Sequence, residues 1–326
     1  TILFGGSNKE RLVSVASAPA KHRALPDAEL WFWDVRDDVY RVRSEALLGH
    51  ARPFEDEFVP GGTGVTLERA LDAAKAEERL LVLGLHGGRA ENGELQAMCE
   101  LRGIPFTGSG SAASHLAFDK VAAKRFAALA GVNVPPGVAL QDVDRALAEH
   151  GRLIAKPSRD GSSYGLIFVN GTQDLVAVRA AAATEEYVIE PFVSGVETTC
   201  GVLERADGTV IALPPVEIVP AEGAFDYAAK YLAATTQEIC PGRFPPAIAA
   251  RIMDDALRAH RALSCRGYSR TDFIVSGEKP VYLETNTLPG LTAASLYPKA
   301  LHAQGIGFSD FLRDQIALAE KAIRQA

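Results

Sequence analysis

The stretch "SRTDFIVSGEKPVYLETNTLPG", residues 269–290, holds two short apolar runs separated by residues that break regular structure. Thr271 to Val275 reads as one strand, "VYLETN" as a second, and Ser276 to Pro280 as a five-residue turn, so the segment predicts a β-hairpin. Residues two apart in a strand share a face, which puts Glu284 and Asn286 on one side. With Val275 paired to Val281, Asp272 falls opposite Glu284 and Arg270 opposite Asn286, all four on that face. Two carboxylates ~5 Å apart repel by roughly 3 kcal/mol at an effective dielectric of about 20. Two compensations are open. A divalent cation would supply one, and two carboxylates with an amide oxygen suit magnesium better than zinc. Arg270, as the centre of a salt-bridge network, would supply the other.

The chain has 326 residues, enough for two or three domains, and an ordinary globular composition of 47% hydrophobic and 23% charged residues. A net charge of −7 argues against a nucleic-acid binder, so any anionic substrate must be met by local positive charge. Cys99, Cys200, Cys240 and Cys265 are widely spaced and form no metal-ligand pattern, which fits a reducing cytoplasm. No apolar run reaches the ~18 residues of a membrane span, and "TILFGG" reads as a strand entering a turn rather than a signal peptide.

The first hundred residues alternate strand and helix. "TILF", a helix over about Lys9 to Ser17, "ELWFWDV", "RLLVLGL" and a helix over about Glu94 to Leu101 predict a doubly wound parallel sheet. Ligands of such sheets sit beyond the carboxyl ends of the strands. That places Glu10 in "GGSNKE" and His86 and Glu91 in "HGGRAENG" in candidate ligand loops. Competing readings are a helix-start acid for Glu10 and a hydrogen-bonded loop residue for His86. "TGSGSAASHLAFDK" opens a helix running to about Ala130; its G-x-G-x-x-A spacing lacks the acidic residue a dinucleotide fingerprint needs ~20 positions on. A small α/β unit follows, with strands "RLIAKP", "GLIFVN" and "YVIEPFV" and an alanine-rich helix. Later strands read as antiparallel, and a helix over about Ser309 to Arg324 closes the chain.

In "AKPSRDGSSYG", residues 155–165, Lys156 stands at a strand end before a Gly/Ser-rich loop. Such a loop can lay N–H groups and hydroxyls on phosphate oxygens while the lysine adds a point charge. A plain hairpin turn is the competing reading, as a surface helix lysine is for Lys120. Together, two lysines, a Gly/Ser lid and an oxygen-bearing metal face are what nucleotide-dependent phosphoryl transfer requires.

Along nearly its whole length the sequence resembles the D-alanine–D-alanine ligases of the ATP-grasp superfamily. The resemblance rests on "GGSNKERLVS", "HGGRAENGELQ", "IPFTGSGSAASHLAFDK", "AKPSRDGSSYG", "EPFVSGVE", "FDYAAKYL", "SRTDF" and "ETNTLPGLTAASL". It implies an ATP-grasp architecture of mixed α/β and α+β character in three domains, over 1–110, 111–190 and 191–326, the first carrying the doubly wound sheet. By the same resemblance Lys120, Lys156 and Lys230 would contact ATP phosphates, and Glu190 and Glu197 the adenine and ribose region. Asp272, Glu284 and Asn286 would hold two Mg2+ (or Mn2+) ions. Arg270 and the backbone N–H of Gly290 would stabilise an oxyanion. Glu10 would hold the ammonium of the first D-alanine, with Ser162 and Tyr231 linking that site to the lid. His86 would lie near the first substrate's carboxylate, and Ser295 with Leu296 would bind that of the second. The implied reaction makes D-alanyl-D-alanine through an acyl phosphate, for peptidoglycan, in a cytoplasmic homodimer. Residues 220–244 are read as a mobile lid.

The family's "EDG" stands here as "ENG", with Asn92 in place of Asp, and residues 21–66 show no recognisable motif. Relatives that use D-lactate, D-serine or a specialised-metabolism amino acid as second substrate share nearly all these motifs, although Tyr231 resembles the dipeptide-forming members. A non-catalytic nucleotide-binding homologue is a further alternative, against which the set Lys156, Arg270, Asp272, Glu284 and Asn286 counts.

Overall fold

The computed structural model describes residues 1–159, 165–220 and 236–325. Ser162, Lys230 and Tyr231, and most of the stretch read as a lid, lie outside them. The N-terminal part contains strands β1 (Ile2–Gly5), β2 (Leu30–Trp33), β3 (Asp38–Val42), β4 (Val65–Thr66) and β5 (Val82–Leu83), in the order β4-β3-β2-β1-β5. Helices α1 (Arg11–Ala24), α2 (Ser44–Leu48), α3 (Leu67–Ala76), α4 (Gly88–Glu91) and α5 (Glu94–Arg102) alternate with them. β2, β1 and β5 are parallel, as expected, and β1 and β2 are buried along their whole lengths, the continuous apolar signature of strands covered on both faces. β3 and β4 extend that sheet antiparallel. They come from the stretch without motifs, where a tight turn after Trp33 folds the chain back. α1 runs past the expected Ser17 and through Pro19, because Val15 and Ala18 bury a continuous face.

Helices α6 (Ser111–Phe118) and α7 (Lys120–Leu129) occupy the stretch expected as one helix. Asp119 divides them: its backbone is extended, and its Oδ1 accepts from the N–H groups of Val121 (3.1 Å) and Ala122 (3.0 Å), an N-cap that starts α7 afresh. Then follow α8 (Val143–His150), β6 (Leu153–Pro157), β7 (Ile167–Val169), α9 (Leu175–Ala182) and β8 (Tyr187–Pro191), with β6 central in a three-stranded antiparallel sheet. This unit has its own core, built from Val143, Leu147, Leu153, Val169, Val178 and Ile189.

The last part is antiparallel: β9 (Val196–Glu204), β10 (Val210–Ala212), β11 (Val216–Val219), β12 (Gln237–Ile239), helix α10 (Pro246–Ala262), β13 (Tyr268–Ser276) and β14 (Lys279–Asn286), then helices α11 (Leu296–Ala303) and α12 (Phe308–Gln325). α7 shares a core with this sheet, Ala123 and Ala127 packing with Val202, Ala256 and Tyr282. The N-terminal core is continuous with Tyr297, Leu301 and Phe311 of α11 and α12.

The β13–β14 hairpin forms with Asp272 opposite Glu284 and Arg270 opposite Asn286, as the sequence predicts. Its turn differs. Ser276 pairs with Lys279, so the turn is the two residues Gly277–Glu278 rather than five, with Gly277 at φ 60° in the first central position that favours glycine. Val275 therefore faces Pro280, not Val281. A β-bulge between Asp272 and Phe273 on one strand, opposite Tyr282 to Glu284 on the other, restores the pairing of the polar residues. No helix among the described residues is long and apolar enough to cross a membrane.

Candidate active site

One pocket gathers residues from several of the stretches singled out by sequence: Glu10, His86, Glu91, Lys120, Arg270, Asp272, Glu284, Asn286 and the loop from Thr287 to Gly290. β13 and β14 supply its floor through the hairpin face. Arg270 grips Asp272 with a two-pronged contact, Nε to Oδ1 and Nη2 to Oδ2, both 2.8 Å. Thr199 of the neighbouring β9 donates to Asp272 Oδ1 (2.7 Å), and Asn286 Nδ2 reaches Oδ2 (3.3 Å). Glu284 lies 3.4 Å from the Lys120 ammonium. Both readings of the hairpin thus have substance, since Arg270 does neutralise Asp272. The face still lines one cavity with two carboxylates and an amide, and because Arg270, Thr199 and Asn286 already use both Asp272 oxygens, a cation there would displace some of these contacts. That donor set fits a hard, oxygen-seeking cation. Among the described residues no group of three or more His, Cys, Asp and Glu side chains is placed to hold a metal ion.

The walls come from the N-terminal loops. Glu10 immediately precedes α1 but makes no capping hydrogen bond with its side chain. Its carboxylate instead lies against Gly87, at φ 62°, where any Cβ would collide with Oε2. His86 Nδ1 donates to the Leu288 carbonyl (2.8 Å), so the other nitrogen, Nε2, is a bare acceptor, buried and without a hydrogen-bond partner among the described residues. Burial, aided by the Lys21 charge, pushes His86 down to about 3, which keeps the ring neutral. Glu91 accepts from the Leu288 N–H and the Gly87 N–H, each 3.0 Å. His86 and Glu91 therefore hold both backbone polar groups of Leu288, fastening the N-terminal loop to the strand end that carries Gly290. Burial raises the Glu91 carboxyl above its usual range, opposed by those two N–H groups.

A second cluster stands behind the pocket. Lys156 on β6 is 3.3 Å from Glu190 on β8, and Lys124 of α7 makes an ion pair with the other Glu190 oxygen. Glu190 and Lys124 are both buried. Burial and the neighbouring Lys156 push the Lys124 ammonium below the usual lysine range. Two lysines sharing one carboxylate leave an excess positive charge near the end of β6. Sequence reading missed Lys124, although it stands one helical turn after Lys120 and so on the same face. It also missed Thr199, two residues beyond Glu197 on β9.

Glu197, half-buried on β9, and Lys156 and Glu190 are not among the residues lining the pocket. Ser295 sits at its edge: a Cβ added to Gly290 would lie 2.9 Å from Ser295 Oγ, which also contacts Thr292 Oγ1 at 2.7 Å, and Leu296 begins α11 beside it. Lys120 is placed by its own N–H, which donates to the Ser158 carbonyl (2.9 Å) at the end of β6. Asn92 has a local explanation. Its Oδ1 accepts from the Glu94 N–H (3.0 Å) while its Nδ2 donates to Glu94 Oε1 (2.8 Å), a contact that an aspartate would turn into repulsion.

Three sheet-bearing units, with a pocket of lysine, arginine, carboxylate and amide side chains between the first and the last, have the make-up of an ATP-grasp ligase. Sequence models for the D-ala D-ala ligase N-terminus and C-terminus match residues 1–109 and 146–317. The chain belongs to the D-alanine–D-alanine ligase family. A D-alanine–D-alanine ligase of Desulforudis audaxviator is 37% identical over 98% of both chains, and one of Syntrophobacter fumaroxidans is 41% identical over 98% of this chain and 96% of the relative. Among solved structures, the VanG D-Ala:D-Ser ligase from Enterococcus faecalis matches with a TM-score of 0.78 at 29% identity, covering 98% of each chain. The Bacillus anthracis D-alanine–D-alanine ligase complexed with ATP matches at 0.75 and 25%, covering 99% of this chain and 97% of the other.

Proposed function

We infer that this protein is an ATP-dependent ligase that joins two D-alanine molecules into D-alanyl-D-alanine, a precursor for cell-wall peptidoglycan. The observation that carries this reading is the near full-length match to relatives of that name, together with a pocket in which Glu10, Arg270, Asp272, Glu284, Asn286 and Gly290 converge.

A carboxylate is a poor electrophile, so the reaction must first activate it. The carboxylate of the first D-alanine attacks the γ-phosphorus of ATP, releasing ADP and leaving an acyl phosphate. The amine of the second D-alanine then attacks the acyl carbon, and phosphate departs. Glu10 binds the first ammonium; the neutral His86 nearby brings no positive charge, and its Nε2 can act only as an acceptor. Lys120 and Lys156, with Lys230, meet the phosphates, while Glu190 and Glu197 face the base and ribose. For Lys156 this means exchanging Glu190 for a phosphate oxygen, and Lys124 keeps Glu190 neutralised as it leaves. Arg270 and the Gly290 N–H stabilise the tetrahedral oxyanion. Ser295 and Leu296 receive the second carboxylate, and the family resemblance assigns Ser162 and Tyr231 to the first-substrate side. Asp272, Glu284 and Asn286 would hold two Mg2+ or Mn2+ ions, which supply charge neutralisation at the transferring phosphoryl group. A cytoplasmic homodimer divided near residues 110 and 190 completes the reading, supported by the family resemblance.

The test is phosphate release from ATP with D-alanine, L-alanine, D-serine and D-lactate, with product masses. D-alanine should stimulate turnover and give the dipeptide mass. Equal stimulation by L-alanine would overturn the assignment, and a preference for D-serine or D-lactate would replace the second substrate.

A further inference from the structure

Glu10 and His86 sit on two separate connections, each bordered by two glycines at positive φ: Gly5 and Gly6 at the end of β1, Gly87 and Gly88 at the start of α4. Asn8 spans them. Its Nδ2 donates to the His86 carbonyl (2.7 Å) and to the Gly87 carbonyl (2.8 Å), while its Oδ1 accepts from the Glu10 N–H (2.7 Å). Both amide hydrogens are thereby used, and the partners fix which way the amide faces. Gly88 leaves room for it, since a Cβ there would lie 3.0 Å from Asn8 Nδ2.

We propose that Asn8 is a positioning residue for the first-substrate site: it sets Glu10 against the 86–87 backbone at the separation the substrate's ammonium requires. The inference rests on the reading of Glu10 as that ammonium's partner. Three hydrogen bonds from one side chain join the backbone immediately before the carboxylate to the backbone on which that carboxylate rests. No hydrogen bond of Asn8 reaches the hairpin face or the Lys156–Glu190 cluster. Its effect should therefore be confined to the first amino acid and leave ATP and the second substrate alone.

Asn8→Asp is the sharpest variant, because it keeps the shape and the acceptor for the Glu10 N–H but sets a carboxylate against two carbonyls. Initial rates over a wide D-alanine range separate the KM values of the two sites. The first-site KM should rise by at least about ten-fold, the scale of losing two hydrogen bonds, with the ATP and second-site KM values within about two-fold of wild type. In a double-mutant cycle, adding Asn8→Asp to Glu10→Gln should raise that KM no further. A first-site KM within about two-fold of wild type overturns the proposal, as does a uniform loss across all three KM values with a lowered Tm, or full additivity with Glu10→Gln. If Asn8→Asp does not fold, Asn8→Ser, which loses both donors, is read by the same criteria. Wild-type protein that D-alanine fails to stimulate would sink the ligase reading instead, so the two failures are distinguishable.

Discussion

Lys21 is fully buried inside α1, where its ammonium donates to Ser17 Oγ (2.7 Å) and makes no ion pair among the described residues. Burial pushes it down to about 7. The sign follows from linkage: between about 7 and the ordinary lysine value the unfolded chain binds a proton the folded chain has lost, so stability rises with pH across that window. Lys21→Met removes the charge and keeps a long unbranched chain. It should raise stability below pH 7, by at most about 5 kcal/mol, with the gain shrinking as pH climbs toward 10. Calorimetry at pH 6.5 and 9.5 checks this, and an equal gain at both would contradict it. Glu284→Gln belongs to the same scale. It preserves shape but removes one charge from the hairpin face, so turnover should fall by orders of magnitude with an unchanged melting curve. Activity within a few-fold of wild type would refute the metal-holding role.

At the scale of elements, the break between α6 and α7 bears on the proposed nucleotide contacts, because Asp119 caps α7 and also takes Arg159 Nε (2.9 Å) and Nη2 (2.8 Å). Asp119→Ala should cost about 1 kcal/mol in stability and raise the KM for ATP several-fold, since it loosens both Lys120 and the strand end after Lys156. An unchanged KM for ATP would confine Asp119 to a structural role. The sequence read through this break because the apolar spacing of 111–129 continues across it and an isolated aspartate looks like a surface residue. The hairpin was legible at its polar positions for a less direct reason. The two-residue turn shifts the register by one from that expected, and the bulge shifts it back, so Asp272 and Glu284 meet as the period of two requires. Neither turn length nor bulge is written in hydrophobic alternation. The loops bearing Glu10 and His86 were legible because they follow strands in an alternating pattern. Lys124 and Thr199 were not, since only the three-dimensional approach of α7 to β8, and of β9 to β13, gives them partners.

For the whole molecule, the division of the cores predicts how it opens. The core of β1 and β2 runs without interruption into Tyr297, Leu301 and Phe311, although these belong to opposite ends of the chain. Phe311 is fully buried, its ring 5.2 Å from Tyr268 and 5.6 Å from Tyr297. His86 and Glu91 add a polar seam to the same junction by holding Leu288. The three-stranded unit over 143–189, by contrast, buries a small core of its own. Cooperative units in native-state hydrogen exchange follow shared packing rather than chain order. Peptides from Ile2–Gly5 and Leu296–Ala303 should therefore share one opening free energy, and peptides from 143–189 should open separately at lower denaturant. Phe311→Ala removes a large buried ring, worth roughly 3–5 kcal/mol. It should lower protection equally in β1 and α11 and leave 143–189 unchanged. Loss confined to α11 and α12, with β1 as protected as before, would mean that the two ends of the chain touch without folding as one unit.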